Sequence, residues 1–263
     1  MDVKDKVAVV TGAGSGIGRA LAQGLAARGA EHVVCTDLDA QNAAATAEMI
    51  GERAQGRALD VGDEAAIDAL VADVEGAQGR IDLFVSNAGY GQRGGLDLPT
   101  EDWMRMMNVH TWSHLAAARA VIPGMVERGG GYLLSTASAA GLLTQMDSGP
   151  YAVSKHAAVA FAEWVAINYA DQGIGVSVLC PQAVRTNILG PRKPGETNTG
   201  QASGDGVLEP EVVADACIQA IHDERFLVLP HPEVETYFQR KANDYDRWLS
   251  GMRRFRARLA GGG

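Results

Sequence analysis

Short, uninterrupted apolar runs recur along the chain, and between them the apolar residues fall at helical spacing. Val7-Ala8-Val9-Val10 and Val33-Val34-Cys35 are of this kind. A strand that is apolar at consecutive positions buries both faces, as the strands of a parallel sheet do. The pattern predicts strands at 6–11, 33–37, 58–61, 81–86, 132–136, 176–180 and 226–229. It predicts helices at 19–28, 39–53, 63–78, 100–128, 150–172 and 210–223. Local punctuation agrees: Asp39 suits an N-cap, Gly29 a helix stop, Pro150 a first helical turn and Pro181 the end of a strand. Strands and helices alternate throughout. That predicts a single α/β domain over 1–263, a Rossmann-like doubly wound parallel sheet of about seven strands with helices on both faces. Residues 187–208 are rich in Gly, Pro, Thr, Asn and Ser, and are expected to form a mobile substrate loop, because apolar periodicity resumes after them. Residues 233–260 form an amphipathic helical extension, with Phe238, Tyr245, Trp248, Met252, Phe255 and Leu259 on one stripe and a basic face bearing Arg253 and Arg254.

Composition narrows the function. The net charge of −9 makes nucleic acid or an anionic membrane an unexpected partner. No run has the roughly 18 apolar residues of a membrane span, and the charged first residues hold no signal-peptide core. Cys35, Cys180 and Cys217 are odd in number and far apart, which points to reduced core thiols, a cytoplasmic location and no metal site. His110 and His114 lie i, i+4, but no third ligand accompanies them, and a packed or surface pair is the expectation.

The chemistry starts at the first strand–helix junction. Gly12, Gly16 and Gly18, with Ser15 and Ile17 between them, permit a tight turn and close approach of a pyrophosphate to a helix N-terminus. Asp37, nineteen residues past Gly18, ends the next strand, where a carboxylate accepts from ribose hydroxyls and repels a 2′-phosphate. Ser15 and Leu38 supply no cation for such a phosphate, which favours NAD over NADP. Tyr151 and Lys155 share a helix face, one turn apart. A free tyrosine has a pKa of about 10 and is a poor base at neutral pH; a nearby cation lowers it. Hydride transfer needs a proton acceptor beside the alcohol oxygen and a donor to hold that oxygen; Tyr151 and Ser138 supply the two.

These residues, with Asp60-Val61, Asn87-Ala88-Gly89, Asn108 and the segment 181–186, resemble the short-chain dehydrogenase/reductase family over about residues 4–230. The resemblance implies that Asp60 and Val61 lie by the adenine, and that Asn87, Ala88 and Gly89 bring backbone to the adenosine ribose. Pro181 belongs to the cofactor-contacting segment in which Val184 and Thr186 hold the nicotinamide carboxamide. Ser138 is to hydrogen-bond the substrate oxygen, and Asn108 to hold a water in a proton relay. Lys155 is to bind the nicotinamide ribose and lower the Tyr151 pKa. Where the family usually has glycine this chain has Gln182, which either narrows the substrate side or adds a polar contact. The alanine-rich segments 116–120 and 157–166 pack against the sheet, and in the resembled family the corresponding helices also form subunit interfaces, which implies a homotetramer, a dimer of dimers.

Leu142, Leu143, Met146 and Leu189, with Tyr90, Gln92, Gln145 and Gln182, describe a mostly apolar pocket. The expected activity is hydride transfer between NAD(H) and a medium-sized, lipophilic secondary alcohol or ketone, with Tyr151 as general acid/base. The alternatives are an NADPH-dependent carbonyl or 3-ketoacyl reductase and a catalytically silent NAD-binding regulator.

Overall fold

The computed structural model describes residues 1–189 and 201–261; the part of the expected mobile loop at 190–200 lies outside the described residues. The sheet is fully parallel and seven-stranded, in the order β3-β2-β1-β4-β5-β6-β7. Its strands are β1 (Val7–Thr11), β2 (His32–Asp37), β3 (Ala54–Ala58), β4 (Leu83–Ser86), β5 (Gly131–Thr136), β6 (Ile174–Leu179) and β7 (Leu227–Val228). Alternation along each strand splits the core in two. Val7, Val9 and Val34 face α3 (Glu64–Gln78), α5 (Ser113–Glu127) and α7 (Gly149–Tyr169). Ala8, Val10 and Val33 face α1 (Gly16–Ala27), α2 (Ala40–Ile50) and α8 (Pro210–His222). The strand order reverses between β1 and β4, and ligands of open α/β sheets bind in the crevice at that point.

Several boundaries differ from the pattern-based expectation, each for a physical reason. The third strand is Ala54–Ala58, not 58–61. It lies at the sheet edge, needs no apolar run, and so carries none. Gly56 is required there, because a Cβ would meet the Ala44 Cα at 2.5 Å. The helix expected to reach 53 stops at Ile50, where Gly51 turns with φ 91°. The long helix expected over 100–128 is broken. α4 (Thr100–Met107) passes into a π-helical turn, Asn108–Trp112, before α5 begins. A short α6 (Ala140–Leu143) interrupts what reads as loop. After β7 come α9 (Glu233–Asn243) and α10 (Tyr245–Gly261), in the region expected to be a helical extension.

Candidate active site

The β1–α1 turn is built so that only glycine fits. Gly12 and Gly16 have φ of 63° and 52°, which other residues rarely adopt. A Cβ on Gly18 would lie 2.2 Å from the Gly12 oxygen, and one on Gly16 would lie 2.7 Å from Thr186 Cγ2. Ser15 is the N-cap of α1 but makes no side-chain cap bond, which leaves the first N–H groups of the helix for an outside acceptor. Asp37, at the end of β2, is turned toward this loop. Its Oδ2 accepts from the Gly14 N–H at 2.9 Å and its Oδ1 from the Asp39 N–H at 3.0 Å. The other wall comes from β4. Thr11 Oγ1 accepts from the Asn87 and Ala88 N–H groups at 2.9 and 3.0 Å. Asn87 is held further by Thr136, which donates to its side-chain oxygen at 3.1 Å.

These walls open on one cavity of about 630 Å³. Gly12, Ser15, Gly16, Ile17 and Asp37 line one end, and Asn87, Ala88 and Gly89 one side. Ser138, Tyr151 and Lys155 line the interior, with Pro181, Val184 and Thr186 nearby. Gly18 is buried beneath Gly12 and shapes the turn without lining the cavity. Asp60 and Val61 follow β3 and lie outside the lining; Asp60 is exposed and its carboxylate accepts from the Gly62 N–H at 2.8 Å.

Tyr151 and Lys155 sit in the first turns of α7. Ser148 caps that helix by accepting from the Tyr151 N–H, and Pro150 occupies its first turn. Lys155 is 3% exposed, and its Nζ donates to the Thr136 oxygen at 2.8 Å. The same Nζ lies 5.8 Å from the centre of the Tyr151 ring. Burial pushes the Lys155 ammonium down to about 7. Burial also raises the Tyr151 phenol above its usual value, and a hydrogen bond with Ser138 offsets this only in part. The direction of the Tyr151 shift is thus set by removal of the phenolate from water and not by a lowering from Lys155.

Asn108 does not reach this site: it is exposed and outside the cavity lining. His110 occupies the place instead. The π turn admits an extra residue per turn and so re-aims the side chains that follow it. His110 is fully buried, its ring edge-on to Tyr151 with centroids 5.4 Å apart and planes at 87°. Its Nε2 accepts from the Tyr90 N–H at 3.1 Å, so the neutral ring carries its proton on Nδ1. That proton goes to Ser154 Oγ at 3.0 Å, and Ser154 donates to the Tyr151 carbonyl at 3.1 Å. Burial, the Lys155 charge and His114 together hold the His110 pKa well below the ordinary value. Spacing alone gives no sign of this role, because the break in helical period is invisible in a continuous helical pattern. No group of three or more potential metal ligands occurs among the described residues.

A parallel Rossmann-like sheet, a glycine turn at its first crossover and a Ser–Tyr–Lys cluster at its switch point define a dinucleotide-fold oxidoreductase. The family model described as short chain dehydrogenase matches residues 6–197, and the chain belongs to that family. It is 32% identical over 257 residues to the 1-deoxy-11-beta-hydroxypentalenate dehydrogenase of Streptomyces avermitilis, covering 95% of this chain and 93% of that one. A 3-oxoacyl-acyl-carrier-protein reductase of Vibrio harveyi is 31% identical over 72% of this chain and 77% of its own. Among solved structures, a short chain dehydrogenase/reductase from Burkholderia phymatum in complex with NAD superposes with a TM-score of 0.84. The two are 31% identical, and the match covers 94% of this chain and 96% of that one.

Proposed function

We propose that this protein transfers a hydride between NAD(H) and a secondary alcohol or ketone, with Tyr151 as the general acid/base. The observation that carries the reading is a single cavity with Asp37 and the glycine turn at one end and Ser138, Tyr151 and buried Lys155 inside it. The cofactor fits the residues present. The turn has no room for side chains, so backbone can approach a pyrophosphate, and the α1 N-terminus faces it. Asp37 would take the adenosine ribose hydroxyls, Val184 and Thr186 the carboxamide, and Lys155 the second ribose. When bound, the nicotinamide supplies the hydride acceptor or donor.

The chain's own groups do the rest. Ser138 Oγ, fixed by accepting from the Ala140 N–H at 3.1 Å, orients the substrate oxygen. Tyr151 gives that oxygen a proton in reduction and takes one in oxidation. Because burial keeps the phenol protonated, Tyr151 is prepared as the acid for ketone reduction. Acting as a base needs added positive charge beside it, from Lys155 and an oxidised nicotinamide together. Asn108 has no part in this scheme. His110 is a positioning residue that holds the Tyr90 backbone and the start of α7.

NAD is favoured over NADP because Asp37 would face the ribose, and like charge disfavours a phosphate there. Among the described residues, the cations of the cavity lining, Arg93 and Lys155, are engaged by Asp147 and by the Thr136 carbonyl. The Burkholderia phymatum relative, solved with NAD, supports the same choice. Fluorescence titration with NADH and NADPH tests it. NADH should bind at least about tenfold more tightly, a difference of about 1.4 kcal/mol; equal or tighter NADPH binding would overturn the NAD assignment. A cytoplasmic location is supported by Cys35, Cys180 and Cys217, all buried and free.

A further inference from the structure

Gln182 stands where the resembled family usually has glycine, and it lines the cavity one residue after Pro181, whose carbonyl accepts from Ser138 Oγ at 3.5 Å. Its backbone is fixed, the N–H donating to His231 Nδ1 at 3.2 Å. Its side-chain nitrogen donates to Asp205 Oδ2 at 2.7 Å, and the Tyr237 hydroxyl from α9 donates to Asp205 Oδ1 at 3.0 Å. An ionised carboxylate only accepts. The Gln182 amide therefore has one permitted orientation, NH2 toward Asp205. Turning it over would set carbonyl oxygen against carboxylate oxygen. Its carbonyl oxygen, which receives no bond among the described residues, is left as an acceptor for whatever fills the cavity.

The same polarity recurs along the wall. The Gln92 amide donates to Asp102 at 2.9 Å, and the Gln145 amide donates to Asp147. Both residues line the cavity. Gln201 differs, since both ends of its amide are used by backbone at Met146 and Thr144. At the substrate end the amide nitrogens of Gln92, Gln145 and Gln182 are taken up by carboxylates, which leaves their oxygens as the free acceptors among the described residues. Among the described residues the cation of this end is Arg93, which is 88% exposed and paired with Asp147 at 3.5 Å. A hydroxyl-bearing substrate finds acceptors there.

We infer that Gln182, oriented by Asp205 and Tyr237, is a specificity-determining residue that accepts a hydrogen bond from a second hydroxyl of a neutral substrate, so that the substrate class is diols and hydroxyketones. This rests on the hydride-transfer reading above and names the substrate class of that same site.

The test compares cyclohexanol with the 1,2-, 1,3- and 1,4-cyclohexanediols, using wild type, Gln182→Met and Asp205→Asn. In wild type the best diol should exceed cyclohexanol in kcat/KM by about 3- to 10-fold, the range of one hydrogen bond. In Gln182→Met, which keeps the length and loses the amide, that ratio should collapse toward one. Asp205→Asn, which frees the amide to turn, should reduce it too. A ratio that survives in Gln182→Met, or a wild type that turns over cyclohexanol as well as every diol, overturns the assignment. The change in fluorescence of the bound NADH as the same alcohols are added to the binary complex reads the ratio from binding alone. A diol preference in binding that Gln182→Met removes, with no turnover of any alcohol, would sustain the Gln182 assignment and sink the hydride-transfer reading. Equal binding of diol and cyclohexanol would sink the Gln182 assignment.

Discussion

At the scale of single residues, burial decides the electrostatics of this site. Lys155 is pushed down to about 7 and Tyr151 is raised, so neither takes its ionisation from the pairing alone. His114 is the clearest case: it is 3% exposed, and neither ring nitrogen has a partner among the described residues. Burial first, and then the Lys155 charge, push it down to about 3 from 6.5. An unfolded imidazole binds a proton that the folded one refuses. The stability this gives is complete above pH 6.5 and is lost as pH falls toward about 3, by up to about 1.4 kcal/mol per pH unit. Denaturant midpoints at about pH 7 and about pH 4.5 should therefore differ less in His114→Leu than in wild type. Equal differences would contradict this origin of acid sensitivity. The glycine turn, Asp37, Tyr151 and Lys155 were all legible in the sequence, because each depends on spacing within one strand–turn–helix or one helical turn. His110 was not, because its place depends on a change of helical period.

That change of period is the main lesson at the scale of elements. The π turn Asn108–Trp112 joins α4 to α5, and Ser113 Oγ donates to the Val109 carbonyl at 2.7 Å, within the altered turn. Thr111 Oγ1 donates to the Ser154 carbonyl at 3.0 Å, so the turn is tied to α7 twice, through His110 and through Thr111. His110→Phe keeps a ring against Tyr151 but loses the bonds to Tyr90 and Ser154. It should lower kcat by about tenfold, the cost of leaving one buried donor unpaired near the reacting group, with NADH affinity retained. Unchanged kcat would show that His110 is filler only. Strand positions were legible wherever both faces are buried. β3 was misplaced because Ala-Gln-Gly-Arg-Ala at a sheet edge has no apolar signature. α6 is too short to carry a period.

At the scale of the whole molecule, an apolar surface remains outside the two cores. Trp112, Val153, Trp164 and Ile167 are exposed, Ile167 at 79%, and Phe161 stacks on Trp164 at 6.5 Å. Val153, Trp164 and Ile167 lie on α7. The dimer of dimers that the family resemblance implies would cover this face, as exposed apolar patches commonly mark an interface. Sedimentation of Trp164→Glu should show smaller species than wild type at micromolar concentration; a monomeric wild type would contradict the assembly. The tail also carries apolar residues outward: Tyr245 and Leu259 of α10 are exposed, while buried Lys241 of α9 lies 5.0 Å from the Trp248 ring. At the substrate end of the cavity the polar residues were legible, since Tyr90, Gln92, Gln145 and Gln182 all line it. The orientations of the three amides were not, because they are set by Asp102, Asp147 and Asp205, which no spacing pattern links to them. The central claim, that Tyr151 moves the proton in an NAD-dependent hydride transfer, is tested most directly by NADH formation from secondary alcohols in wild type and Tyr151→Phe. The variant should bind NADH as wild type does and lose about 10²–10⁴-fold in turnover. Turnover within tenfold of wild type would contradict the assignment of Tyr151.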